Sequence, residues 1–226
     1  MNAGLRAVAG LSLGEYTALH LAGVFGFAEG LRLVATRGRL MQEAAEASRG
    51  GMVAVIGGTD EDGEALCEAA REGGVLVPAN YNAPGQLVLS GDEAACARAA
   101  ALAGERGLRS AVLTVAGAFH SPLMQPAADA MAIALTKVDL RPPTVEVWSN
   151  VTAEPHEAGD MELLRRRLVE QIVSPVRWSQ TCRGLPSGDT IEIHELAPGN
   201  VLRGLMRRID RNKKVTNHDQ PPSRVS

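Results

Sequence analysis

Aromatic side chains are scarce in this sequence: three Phe, two Trp and two Tyr make up 3% of a chain that is 45% hydrophobic. The core must therefore be assembled from Ala, Val, Leu and Ile, while 22% charged residues is ordinary for a globular surface. Cysteine is nearly absent too. Cys67, Cys96 and Cys182 are odd in number, far apart and without any C-x-x-C or nearby Cys/His spacing, so they read as small buried fillers in a reducing compartment. No stretch approaches the roughly 18 uncharged apolar residues of a membrane span, and no basic segment followed by an apolar run opens the chain. The expectation is a cytoplasmic protein that does not enter a membrane. A net charge of −3 offers no electrostatic footprint for nucleic acid. What remains is 226 residues, enough for one sizeable core or one domain carrying an insertion.

The stretch around which the chain is organised is Gly10-Leu11-Ser12-Leu13-Gly14-Glu15-Tyr16. A short apolar segment, Leu5 to Ala9, precedes it as a strand candidate, and a helical pattern runs from Leu13 to Ala22 with Gly23 as its stop. Strand, sharp turn and helix are the context of a G-x-S-x-G nucleophile elbow, where small residues on both sides let the turn tighten until the hydroxyl projects. Ser12 and Glu15 also spell S-x-x-E, a capping box that any helix start can carry. Taken alone, the pentapeptide fits both readings.

From Phe27 to Ala45 the pattern is helical, and Leu33, Arg37, Leu40, Met41 and Ala44 share one face. Arg37 thus sits in an apolar stripe with no acid three or four residues away, whereas Arg32 has Glu29 and Arg39 has Glu43. Either a distant carboxylate or carbonyl groups pair with it, or it holds the carboxylate of a ligand. Beyond Gly51 the texture becomes short alternating units. Strands at 52–56, 75–79, 86–90 and 110–115 with helices at 60–72 and 92–106 give the order βαββαβ, that of a split, ferredoxin-like unit inserted into the larger body. Within it, Asn80 to Gln86 is a cluster of turn formers whose amides would line a polar cleft; Asn82 is the candidate substrate contact, and Asx-turn chemistry is the simpler reading. Ser121 and Pro122 then make a good helix start for 123–138, which places His120 on a strand-to-helix loop suited to catalysis. His156 and His218 fall in polar segments expected to be exposed. A strand at 144–149, a helix at 161–173 carrying Gln171, a strand at 190–196 and a short helix at 201–209 complete the pattern, followed by a polar tail from Asp210 expected to fray.

These residues carry an extended resemblance. Gly10 to Tyr16, Arg37 to Gln42, Asn80 to Gln86, Gly117 to Met124, Leu168 to Ile172 with Pro175 to Trp178, and Ala197 to Leu202 resemble, in order, the segments of the malonyl-CoA:acyl carrier protein transacylase family. The resemblance implies an α/β fold: a parallel-sheet acyltransferase body at 1–49 and 116–210, with a ferredoxin-like small subdomain at 50–115 and a flexible tail at 211–226. It implies Ser12 as nucleophile, His120 as its base and later acid, Leu13 as donor of a main-chain N–H to the oxyanion, and Gln171 as the residue whose carbonyl orients the histidine. Arg37 then grips the malonyl carboxylate, and Phe119 is similar to the residue at this place in malonyl-selective members. Malonyl-CoA is the implied substrate and acyl carrier protein the implied partner in fatty-acid synthesis, with no bound metal or cofactor. Because acyl carrier proteins are acidic, Arg203, Arg207, Arg208 and Arg211, together with Lys213 and Lys214, form a candidate docking surface; a solvated basic helix end is the plainer reading.

Two departures from the family stand out. Leu11 replaces a histidine usual before the nucleophile, and the chain begins about nine residues before Gly10, where family members carry a strand, helices and a P-G-Q-G loop that completes the oxyanion hole. The expectation is a body lacking its N-terminal portion, either through a truncated product or a start placed too late. Pro84-Gly85-Gln86 belongs to the inserted unit and is no substitute. Two other functions fit parts of the pattern: a serine thioesterase or esterase, which in α/β-hydrolases expects a later histidine, and a non-catalytic fragment.

Overall fold

The computed structural model describes residues 4–188 and 190–219. Its body begins with strand β1 (Ala7–Val8), which turns through Gly10–Leu13 into helix α1 (Gly14–Leu21), followed by the long helix α2 (Phe27–Ala47). Strand β1 pairs in parallel with β6 (Glu146–Val147), Val8 opposite Val147. Helix α5 (Gln125–Leu135) packs between α2 and α6 (Met161–Val173), α1 packs on α2, and their shared core holds Leu19, Leu33, Met41, Met131, Leu135, Leu164 and Leu168, all buried. The stripe read on α2 is the face that turns inward: Leu33, Arg37, Met41 and Ala44 are buried. Arg32 and Arg39 face solvent and bond Glu29 at 3.1 Å and Glu43 at 2.7 Å.

Between α2 and the His120 loop lies an antiparallel four-stranded sheet of β2 (Gly50–Ile56), β3 (Leu76–Ala83), β4 (Gln86–Asp92) and β5 (Arg109–Val112), ordered β3-β4-β2-β5. Helices α3 (Asp60–Arg71) and α4 (Glu93–Glu105) connect its strands. The start of α3 is set by a capping box, in which the Thr59 side chain and Asp62 satisfy each other's backbone N–H groups. Alternation along β2 sorts its two faces. Val53 and Val55 pack with Leu66, Cys67 and Ala99 of the helices, while Met52 and Ala54 face the other way with Ala79 and Val88. Phe119 packs against that second face and against the body core as well, so the sheet backs directly onto the loop that carries His120.

The remaining elements, α7 (Trp178–Gly184), β7 (Ile193–Leu196), α8 (Val201–Ile209) and β8 (Val215–His218), pack along β3 and against Ala9 and Leu11 beside the Ser12 turn. Four sequence expectations change. The cluster of turn formers from Asn80 instead continues β3 to Ala83, leaving only Pro84 and Gly85 to turn into β4. The helix after Ser121 begins as a 3-10 turn at Pro122–Met124 and is α-helical only over Gln125–Leu135, since prolines at 122 and 126 leave no N–H to bond. Helix α7 was not foreseen. The stretch expected as tail instead pairs: β8 runs parallel to β7, Val215 opposite Ile193, and the Asn217 side chain donates to Glu195 and to the Gly199 carbonyl. Residues 220–226 of that stretch, and residues 1–3 of the expected body, lie outside the described residues.

The three cysteines are free and buried. Burial pushes their thiols up, to about 12 for Cys67 and Cys182 and about 11 for Cys96, so none competes as a nucleophile at neutral pH. Among the described residues no helix is long and apolar enough to cross a membrane.

Candidate active site

Ser12 occupies the left-handed region at φ +51°, unusual for a residue with a β-carbon and the hallmark of a strained elbow. Gly10 is what permits it. A β-carbon there would lie 2.0 Å from the carbonyl carbon and oxygen of Gly14. At Gly14 itself a β-carbon would meet nothing within 4 Å, so the expectation that both flanking glycines are needed holds for one only. The capping-box reading also falls away: Leu13, not Ser12, is the N-cap of α1 and carries no side-chain cap, and the Glu15 carboxylate points into the interior.

Ser12 Oγ lies 2.8 Å from His120 Nε2, and His120 Nδ1 lies 2.8 Å from the carbonyl oxygen of Gln171. A carbonyl only accepts, so Nδ1 carries the ring proton and Nε2 is left free to accept from the serine hydroxyl. Burial, and then the Arg37 cation, hold the imidazole well below its ordinary 6.5, at about 4. His120 is therefore neutral, and basic, throughout the physiological range. Acylation of Ser12 is expected to stay level from neutral pH downward and to fall only as pH nears 4; a pH series of single-turnover acylation checks this, and a limb near 6.5 contradicts it. Since the folded chain holds this proton more weakly than the unfolded chain, the associated stability is complete above 6.5 and is lost as pH falls from 6.5 through 4.

Arg37 reaches the same hydroxyl. One of its NH2 groups donates to Ser12 Oγ at 3.0 Å and to Gln171 Oε1 at 3.0 Å, and the guanidinium lies 5.7 Å from the Tyr16 ring centre. The residue is 4% exposed and its Nε has no hydrogen-bond partner among the described residues. No carboxylate pairs with it there either: its direct contacts are neutral and Glu15 stands behind the Gln171 amide, so a buried cation faces the Ser12 hydroxyl. Such a charge is costly unless an anion compensates it. Leu13 is 47% exposed, and its N–H, with no partner among the described residues, lies at the start of α1, where the helix terminus favours negative charge.

A family model described as the acyl transferase domain matches residues 4–205. The chain belongs to that family. It is 41% identical over 203 residues to a malonyl CoA-acyl carrier protein transacylase of Haemophilus influenzae, a match covering 89% of this chain and 64% of that protein. The chain thus spans a little under two thirds of the relative's length. A crystal structure of the malonyl-CoA:acyl carrier protein transacylase of Xanthomonas oryzae pv. oryzae superimposes with a TM-score of 0.90 at 42% identity, covering 95% of this chain and 68% of that one. A third, of a malonyl-transacylase in complex with a type II polyketide acyl-carrier protein, gives 0.89 at 36% identity over 94% and 69%.

In this acyl transferase domain four of the residues singled out from sequence meet at one point: Ser12, His120, Arg37 and Gln171. Leu13 adjoins them by chain connectivity. Phe119 precedes His120 and is packed into the seam between body and sheet. Asn82 lies on β3 and makes no hydrogen bond to these four among the described residues. Leu11 packs into the apolar cluster of Val176, Trp178 and Leu205.

Three residues not expected at the site support it from behind. Asn150 accepts from the Ser12 N–H at 2.5 Å and donates to the Gly10 carbonyl at 2.8 Å, clamping the elbow on both sides. Glu15 is wholly buried and pairs with His156, Nε2 to Oε1, at 2.8 Å. His156 was expected to be exposed. It is buried because its backbone N–H bonds Val147 at 2.8 Å, at the end of the β1–β6 pair, which turns its ring toward α1. The polar neighbours of residue 156 gave no sign of this.

Proposed function

We propose that this domain transfers a malonyl group from malonyl-CoA to the phosphopantetheine thiol of an acyl carrier protein, through a malonyl ester on Ser12, in cytoplasmic fatty-acid synthesis. The observation that carries the reading is the position of Ser12 Oγ between His120 Nε2 at 2.8 Å and the unpaired cation of Arg37 at 3.0 Å. Ser12 gives its proton to His120 as its oxygen attacks the thioester carbonyl; the Leu13 N–H meets the developing oxyanion. Collapse breaks the carbon–sulfur bond, and His120 passes its proton to the departing sulfur, so CoA leaves as the free thiol and the imidazole is neutral again. The carrier thiol then gives its proton to His120, attacks the ester, and Ser12 leaves with the proton returned. In the ester the distal carboxylate is separated from Oγ by only a carbonyl and a methylene, within the span of a guanidinium that already touches Oγ. Arg37 therefore selects for an acyl group with a second acid. No bound metal or cofactor enters these steps.

The same reading treats 1–49 with 116–210 as the catalytic body and 50–115 as an inserted unit that closes over the His120 loop. Phe119 and Asn82, on that side, are assigned to substrate contact. For the carrier, a groove of about 750 Å³ is lined by Arg203, Arg207, Arg208, Arg211, Lys213 and Lys214. Two of these have internal duties, since Arg208 donates to Gln86 and Lys213 to the carbonyls of Cys182 and Leu185. Arg203, Arg207 and Arg211 are assigned to docking. Replacing Arg207 and Arg211 with glutamate is expected to raise KM for the carrier about tenfold without slowing acylation by malonyl-CoA.

Labelling tests the central claim. Incubation with radioactive malonyl-CoA is expected to leave label on the protein, and Ser12→Ala to abolish it. Label surviving in the Ser12→Ala protein removes the assigned nucleophile, and rapid release of free malonate without carrier favours a hydrolase instead.

A further inference from the structure

Behind the nucleophile lies a buried polar cluster in which the side chain of Gln171 is held at both ends. Its Nε2 donates to Glu15 Oε2 at 2.7 Å and to the Ser12 carbonyl at 3.1 Å; its Oε1 accepts from Arg37 at 3.0 Å. Glu15 is itself anchored by His156 Nε2 at 2.8 Å and by the backbone N–H of Asn150 at 3.1 Å. The two ends of an amide are nearly equal in shape and opposite in polarity, so packing alone does not choose between them. Glu15 does. Glu15 Oε2 already accepts from the Asn150 N–H, and so admits only the NH2 end of Gln171. The carbonyl end is then forced toward Arg37, whose guanidinium only donates.

We infer that Glu15, anchored by His156, is a positioning residue: it sets the direction of the Gln171 side-chain amide, which in turn holds the Arg37 guanidinium against Ser12 and so sets discrimination between donors with and without a second carboxylate. The role is separate from that of the Gln171 backbone carbonyl, which serves His120. It rests on the malonyl reading above. A Glu15→Gln substitution keeps the shape but offers Gln171 a donor as well as an acceptor, so the shortest contact that fixes the amide is lost and only the Ser12 carbonyl and Arg37 hold its direction. A reversed amide sets NH2 against guanidinium, and Arg37 is pushed from its place.

The test measures kcat and KM for malonyl-CoA and acetyl-CoA in the wild type, Glu15→Gln, Gln171→Met and the double variant, with thermal melting to confirm folding. Glu15→Gln is expected to lower the malonyl-to-acetyl ratio of kcat/KM about tenfold, mostly through KM for malonyl-CoA. In the Gln171→Met background, which keeps the backbone carbonyl but has no amide to turn, Glu15→Gln is expected to lower the ratio no further. A folded Glu15→Gln protein with the wild-type ratio overturns the inference, as does a Glu15 effect that persists in full on top of Gln171→Met. If Glu15→Gln does not fold, an unchanged ratio in Gln171→Met alone overturns it. A wild-type chain that transfers acetyl and malonyl equally, or neither, overturns the malonyl reading itself and the inference with it.

Discussion

Arg37→Ala is expected to lower the malonyl-to-acetyl preference about a hundredfold, through KM for malonyl-CoA. The guanidinium is buried to 4% exposure, touches only neutral acceptors and an aromatic ring, and has no carboxylate partner among the described residues. A malonyl carboxylate gives it two charge-assisted hydrogen bonds, each worth on the order of 1.5–3 kcal/mol, and an acetyl group gives it none. Arg37→Lys keeps the charge without the planar fork and is expected to fall between the two. A second readout follows from the same change. Arg37 helps to hold the His120 imidazole down at about 4, so its removal is expected to move the acidic limb of the acylation profile upward. Steady-state kinetics with both donors, and a pH series, check the two effects; an unchanged preference ends the carboxylate clamp.

Gly10→Ala is expected to destroy the elbow. The added β-carbon would lie 2.0 Å from two main-chain atoms of Gly14 and 2.6 Å from the N of Glu15, and none of these can move without unwinding the first turn of α1. The Asn150 clamp adds rigidity, since its side chain bonds both the Gly10 carbonyl and the Ser12 N–H. A loss of about 3 kcal/mol or more follows, which for a chain of this size is a fall in Tm of roughly 6–12 °C, together with loss of malonyl labelling. Gly14→Ala makes the contrast. It opens a helix, meets nothing within 4 Å, and is expected to leave Tm unchanged or raise it slightly. Equal melting of the two variants contradicts the steric account.

The kinship of the chain, the elbow at Ser12, the loop placement of His120 and the inward stripe on α2 with its unpaired arginine were all legible in the sequence. Each depends on short-range geometry. Glycine spacing sets whether a turn can tighten, Ser121 and Pro122 fix where a helix begins, and a period of 3.6 decides which residues share a face. The same locality explains the misses. Ser12 and Glu15 match a capping box at their spacing, yet the choice between cap and interior lay with residues far along the chain.

That distance marks what only the tertiary structure decided. Asn150 reaches Ser12 across 138 residues, His156 reaches Glu15 across 141 and Gln171 reaches Glu15 across 156. Whether a polar side chain is buried depends on what surface covers it, and for His156 that surface is the β1–β6 junction and α1. No local pattern encodes such a covering. The sequence by itself determined which groups could do acyl transfer and the turn that presents the serine; the packed chain decided which way Gln171 faces and where Arg37 is held, because both follow from a carboxylate buried among partners that meet only on folding.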